Sequence, residues 1–129
     1  MRIKIFILED NDERVAAFDR LLPQLYQGCQ ITHSKFADES KKILKDKDFD
    51  LIFLDHDLGG RVYVNSSEPD TGYQVAKFIA ENGIKYQQLI IHSMNPAGAQ
   101  NMLNVLGEWS NSVHIPFPTL LTYLENPRD

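Results

Sequence analysis

Three short segments hold the groups that titrate or bind metal: Glu9-Asp10-Asn11-Asp12, Asp55-His56-Asp57 and His92-Ser93-Met94-Asn95. Each follows directly on an apolar run, Ile5-Phe6-Ile7-Leu8, Leu51-Ile52-Phe53-Leu54 and Leu89-Ile90-Ile91. Several carboxylates drawn into one crevice repel each other unless a cation neutralises them. An oxygen-rich set of this kind suits a hard divalent ion, Mg²⁺ or Mn²⁺. Glu9, Asp10, Asp55 and Asp57 are therefore the candidate metal ligands. Asp55, His56 and His92 are the candidate catalytic groups, because imidazole titrates near neutral pH and can give or take a proton. Ser93, Asn95 and Gly98 are the candidate phosphate-binding residues. Asn95 as cap and Pro96 at the first helical position start a helix whose free N–H groups favour an anion, and Ala97-Gly98 lets a ligand come close to that backbone. Carboxylates, a metal and an anion pocket together point to phosphate chemistry.

The elements that position these segments follow from the apolar pattern. Continuous apolar runs with turn signals after them suit strands covered on both faces of a parallel sheet. Strands are expected over 2–8, 30–33, 50–54, 89–91 and 112–115, the second of them at an edge. Between them, Val15, Phe18, Leu22 and Leu25 fall at helical spacing after a cap at Asn11 or Asp12, with Pro23 bending or ending the helix. Further helices are expected over 38–47, from a cap at Asp70 or Thr71 to Asn82-Gly83, from Pro96 through Val105, Leu106 and Trp109, and from Pro118 through Leu124. Strand and helix alternate five times, which argues for one α/β domain over 1–129 with three layers, α/β/α, and right-handed crossovers. In such sheets a ligand binds beyond the carboxyl ends of the strands, where the three polar segments arrive.

The bulk numbers narrow the function classes. The chain has 129 residues, 43% hydrophobic and 24% charged, which is ordinary for one globular domain. A net charge of −5 gives no basic footprint for wrapping duplex nucleic acid. Cys29 is the single cysteine, so an intramolecular disulfide and a cysteine-based zinc cluster are both excluded, and it reads as inert. The apolar run near the start is too short for a signal-peptide core, and nothing approaches the length of a membrane span. These features suit a cytoplasmic protein.

The whole chain resembles the receiver domain of response regulators, which implies a five-stranded parallel sheet of order 2-1-3-4-5. Glu9-Asp10 resembles that family's acidic pair, Asp55 its phosphoacceptor, Ser93 its Ser or Thr, and Pro69 with Gly72 the opening of its third helix. The resemblance implies Mg²⁺ held by Asp10, Asp55 and either Glu9 or a loop carbonyl. Two features depart from it: Ile115 stands where a receiver has Lys, and the loop after Asp55 is longer. Within that family, Leu-Asp-His-Asp-Leu-Gly at 54–59 and His-Ser-Met-Asn-Pro-Ala-Gly-Ala at 92–99 resemble the cyclic-phosphate processing receiver domains. That branch implies a cyclic phosphate or nucleotide ligand and a metal-dependent cyclic phosphodiesterase or phosphohydrolase. The alternatives are a single-domain regulator phosphorylated on Asp55 that switches a signalling partner protein, and a non-catalytic binding module.

Other residues have simpler readings. Asp12 reads as a helix cap, His33 and His114 as structural or exposed, Trp109 as core, and the lysines of 41–47 as a solvated face. Asp57 reads equally as a ligand or as an acceptor for the Gly59-Gly60 turn. Arg61 can add a cation to the site.

Overall fold

A computed structural model describes residues 2–127. Ten elements alternate: β1 (Lys4–Leu8), α1 (Asp12–Leu25), β2 (Gln30–Ser34), α2 (Ala37–Asp46), β3 (Leu51–Leu54), α3 (Gly72–Glu81), β4 (Gln88–Ile91), α4 (Pro96–Leu106), β5 (Ser112–His114) and α5 (Phe117–Glu125). All neighbouring strands pair in parallel, and the sheet order is β2-β1-β3-β4-β5. This is the receiver-like α/β fold expected, with β2 at an edge.

Two cores form because strand side chains alternate between faces. Phe6, Leu8, Ile52, Leu54, Leu89 and Ile91 pack against Leu44 of α2, Val75 and Ile79 of α3, and Ala99 and Met102 of α4. Ile5, Ile7, Leu51 and Phe53 pack on the other face against Phe18 and Leu22 of α1 and Leu120 and Leu124 of α5. The central strands β1 and β3 are buried on both faces from Ile5 to Leu8 and from Leu51 to Leu54, which is why they read as unbroken apolar runs.

Some expectations shift. Pro23 sits inside the last turn of α1, and the helix runs on to Leu25. Asn11, not Asp12, caps α1, its side chain accepting from the Arg14 N–H. Asp12 instead pairs with Lys35 at 2.7 Å. Asp70 does not cap α3: its carboxylate accepts from the Ala37 N–H at 2.8 Å, capping α2 from 33 residues away. Trp109 is 94% exposed, contrary to its assignment to the core. The reason is that α4 stops at Leu106, with Gly107 at φ +96° turning the chain away, so Trp109 never joins the helix's apolar face. Among the described residues no helix is long and apolar enough to cross a membrane.

Candidate functional site

Strand register builds the centre of the site. Leu8 pairs with Leu54, and Leu54 with Ile91. The ladder continues one residue past the strands, through Asp55 N–H to Leu8 O at 3.1 Å and His92 N–H to Leu54 O at 3.0 Å. Glu9, Asp55 and His92 are thus neighbours in one row, each the first residue after its strand. By strand alternation they share the face of Ile7 and Phe53, under α1 and α5. Their ligand atoms all lie within 4.8 Å of one another.

The inner pair of this row is closed. Glu9 Oε1 is 2.8 Å from His92 Nε2, and Glu9 Oε2 accepts from the Asn11 N–H at 3.0 Å. Burial pushes the Glu9 carboxyl up, but the His92 hydrogen bond and charge, the Asn11 N–H and Arg14 together hold it below the usual range. An ionised Glu9 accepts only, so His92 carries its proton on Nε2. The ring is fully buried with Phe18 and Phe117 edge-on at 5.2 and 6.1 Å, and His92 Nδ1 has no partner among the described residues.

Asp55 is the open member. Its Oδ1 accepts from the His56 N–H at 2.8 Å, while Oδ2 lies 3.9 Å from the Arg14 guanidinium. Burial raises its pKa to about 6, the neighbouring Glu9 charge adding to the rise and His92, the His56 N–H and Arg14 opposing it. Asp55 borders a cavity of about 230 Å³ together with Asp10, Asp57, Arg14 and Arg61, and with Val62 and Met94. Asp10 reaches it from the turn after β1, its Oδ2 accepting from the Gly60 N–H at 2.7 Å. The wall therefore carries three carboxylates, a donor set of hard oxygens, facing the guanidinium groups of Arg14 and Arg61. That is the chemistry a Mg²⁺ ion fits. Asp10 and Asp55 offer oxygens not taken up by hydrogen bonds, whereas Glu9 is engaged on both sides.

Arg14 is the residue that sequence reasoning missed. Its guanidinium lies 3.7 Å from Glu9 and 5.1 Å above the Phe117 ring. The available signal was its place one helical turn before Phe18, on the stripe that α1 turns toward the sheet. Arg61 also borders the cavity, as guessed, and is 3.4 Å from Glu68.

The second histidine lies on the other face. His56 is one residue past Asp55, so alternation turns it toward α3 and α4, and it is fully buried. Its Nδ1 is 2.7 Å from Asp57 Oδ1 and its Nε2 is 2.8 Å from Ser66 Oγ. Neither His56 nor His92 borders the carboxylate cavity. Asp57 is the acceptor around which loop 55–70 folds, taking bonds from His56, from Asn95 Nδ2 at 3.0 Å, and from the Tyr63 and Val64 N–H groups. Burial raises its carboxyl, but these bonds overcome that and hold it low.

The expected phosphate pocket at the start of α4 has other uses. Asn95 Oδ1 itself accepts from the Gly98 N–H at 3.0 Å, and Ser93 Oγ accepts from the Asn95 N–H. A Cβ on Gly98 would lie 2.5 Å from the His56 ring, so this glycine makes room for an imidazole and not for a phosphate. Ser93, Asn95 and Gly98 come together behind the cavity, as its support. His114 Nε2–H donates to the Ser93 carbonyl oxygen at 2.8 Å, and His33 pairs with Asp19 at 2.8 Å on the surface.

The model of the cyclic-phosphate processing receiver domain matches residues 5–108. The chain belongs to the cyclic-phosphate processing receiver family. That match runs from Ile5 in β1 past the end of α4, takes in both marker segments, and ends before Ile115. No curated protein matches the chain in sequence. Solved structures share its fold. A signal receiver domain of a putative Luxo repressor protein from Vibrio parahaemolyticus has 18% identity, covering 97% of this chain and 88% of that one, with a TM-score of 0.67. The phosphorylated cyanobacterial phytochrome response regulator RcpA has 17% identity, 97% and 90% coverage and a TM-score of 0.69. The receiver domain of a Pseudomonas aeruginosa sensor histidine kinase, with a magnesium ion coordinated in its active site cleft, has 16% identity, 97% and 93% coverage and a TM-score of 0.67. At these identities the likeness is one of fold.

Proposed function

We propose that this receiver-family protein binds a divalent cation and a phosphoryl group in the cavity at Asp55 and hydrolyses a cyclic phosphate of a nucleotide or a nucleic-acid end. The observation that carries the reading is the juxtaposition of Asp10 and Asp55 with Arg14 and Arg61 around one cavity of about 230 Å³. Carboxylates alone suit a cation. Carboxylates facing two guanidinium groups suit a cation together with an anion, since guanidinium matches phosphate oxygens bidentately.

Asp10 and Asp55 would hold Mg²⁺ or Mn²⁺, which the magnesium site in the cleft of the Pseudomonas aeruginosa receiver supports. Such an ion, when bound, neutralises charge on the phosphate oxygens and lowers the pKa of bound water. Arg14, held over the Phe117 ring, grips the non-bridging oxygens, and Arg61 adds a second cation from the loop. In the reaction a water oxygen bonds to phosphorus and one ring P–O bond breaks. The attacking water gives up one proton to solvent and the leaving alkoxide takes one up, yielding a phosphate monoester. His92 and His56 act through the carboxylates they hold: His92 fixes Glu9 beside Asp55, and His56 fixes Asp57 under the loop. Ser93, Asn95 and Gly98 serve the phosphate indirectly, by bracing that loop and the start of α4.

A second reading has its own support. Asp55 ends β3 in a receiver fold, and RcpA, of the same fold, is phosphorylated. Transfer to Asp55 Oδ2 would make an acyl phosphate that a signalling partner protein reads. Against it stands Ile115, which packs in the apolar core where a receiver's Lys would reach the phosphoryl group.

The test is ³¹P NMR of a 2′,3′-cyclic mononucleotide with the protein, with and without Mg²⁺ or Mn²⁺. Loss of the cyclic signal with metal, and its persistence with Asp55→Asn, is the expected result. An unchanged cyclic signal, with a phosphoryl mass gain from a small phosphodonor instead, would transfer the assignment to the signalling reading.

A further inference from the structure

The carboxylate cavity does not use Ser66, and the hydrogen bonds around it form a chain of three side chains. Asp57 Oδ1 is 2.7 Å from His56 Nδ1, and His56 Nε2 is 2.8 Å from Ser66 Oγ. A carboxylate only accepts, so Nδ1 carries a proton, and in the ring with that single proton Nε2 is an acceptor for the Ser66 hydroxyl. In that tautomer the hydroxyl hydrogen is directed from Oγ to an imidazole nitrogen whose ring is held on its far side by an anion. Those are the three roles of a Ser-His-Asp triad, which is recognised by geometry and not by order in the chain.

Each member is held by α4 or its cap residue, with α3 and the loop adding further contacts. The His56 ring lies on Gly98 at the start of α4, where a Cβ would come within 2.5 Å of it. Asp57 is fixed by Asn95 and by the Tyr63 and Val64 N–H groups. The Ser66 carbonyl accepts from Gln74 Nε2 of α3 at 3.0 Å, and Ser66 Oγ accepts from Asn101 Nδ2 of α4 at 3.0 Å. Ser66 is half-buried and opens onto a cavity of about 470 Å³ lined by Ser66, Ser67, Tyr73, Asn101, Asn104 and Val105. No charged side chain lines it, so the cavity offers nothing to neutralise a phosphate and suits an uncharged group with an apolar part.

We propose that Ser66 is a nucleophile for a small, uncharged carboxylic ester, with His56 as its base and Asp57 as the positioning residue that sets the tautomer. Ser66 Oγ bonds to the carbonyl carbon and its proton passes to His56 Nε2. Asn101 Nδ2, already at Oγ, has a second N–H for the oxyanion. The alcohol leaves with the proton from His56, and water then releases the acid by the same route and restores the serine. Ser66 opens onto a different cavity from the cation's, which Asp57 borders at the far end of the hydrogen-bonded chain, and the proposal does not depend on the cyclic-phosphate reading.

The test is labelling of the intact protein with an alkyl fluorophosphonate, in which Oγ displaces fluoride from phosphorus, followed by mass mapping. Ser67, exposed and adjacent, is the internal reference. Ser66 is expected to label at least about 10²-fold faster than Ser67, and His56→Gln to remove about 10²–10⁴-fold of that rate. Equal labelling of Ser66 and Ser67 in the wild type overturns the proposal, whether or not His56→Gln folds. Ring ¹⁵N shifts check the tautomer: a bare Nε2 is expected on His56, with Nε2–H gaining population in Asp57→Asn. A wild-type ring protonated on Nε2 alone overturns the assigned roles.

Discussion

At the scale of single residues, the site is governed by which charges are compensated. Asp55 is nearly buried, faces Glu9, and titrates at about 6 in place of 3.8. An acid whose folded pKa is raised favours folding while protonated. Its contribution is intact below the unfolded value, near 3.8, and is lost as pH rises through about 6. At pH 7 without metal the ionised group costs about 3 kcal/mol. Asp55→Asn should therefore stabilise the metal-free protein at pH 7 by about that amount and give little gain at pH 4, which urea unfolding at the two pH values will check. Equal gains at both would mean that ionisation of Asp55 is not the cause. Arg14 offers the anion its firmest grip, since Phe117 below it and Glu9 beside it fix the guanidinium. Arg14→Ala should weaken phosphate-analogue binding by about 10-fold or more, on the scale of one charge-assisted hydrogen bond to a phosphate. Arg14→Lys should restore only part of it, because an ammonium lacks the planar fork; titration calorimetry separates the two.

At the scale of elements, two glycines and one aspartate bring the pieces together. The N–H of Gly72 donates to His56 O at 2.9 Å, and a Cβ there would meet the Asp55 carbonyl oxygen at 1.7 Å. Backbone cannot yield as a side chain can, so Gly72→Ala should destabilise by about 3 kcal/mol or more. Gly98→Ala meets an imidazole instead and should cost about 1–3 kcal/mol. It should also disturb His56 and, through Asp57, the whole of loop 55–70, which an NMR spectrum of the variant would display. Asp70 links that loop to α2 through the Ala37 N–H. Phe36, the residue at the α2 cap position, has no side-chain acceptor of its own. Asp70→Ala should therefore cost about 1 kcal/mol by thermal melting, the worth of an ordinary N-cap.

At the scale of the whole molecule, a parallel sheet carries acidic turns to one rim, and a cation bound there stabilises only the folded chain. Mg²⁺ at 100 times its dissociation constant should add about 2.7 kcal/mol of stability, read as a raised Tm that Asp10→Asn and Asp55→Asn abolish. The parallel three-layer alternation was legible in the sequence, because unbroken apolar runs such as Leu51–Leu54 alternate with helical stripes; the order of the strands came with the resemblance to receiver domains. Also legible was the arrival of Glu9, Asp10 and Asp55 at one rim, since they follow the central strands β1 and β3. The division of labour among the polar residues was not. Asp55 and His56 are adjacent in sequence, yet the pleat turns one toward α1 and the other toward α3 and α4, which separates the histidines His56 and His92 by the thickness of the sheet. Trp109 read as core only while α4 was assumed to continue past Gly107. Arg14 and Ser66 drew no attention because their partners are remote in the chain: Phe117 and Asp55 for one, His56 and Asn101 for the other. Local composition and periodicity determine which residues reach the rim. Which of them meet there is decided by register, face and packing across long sequence separations, and these exist only in the folded chain.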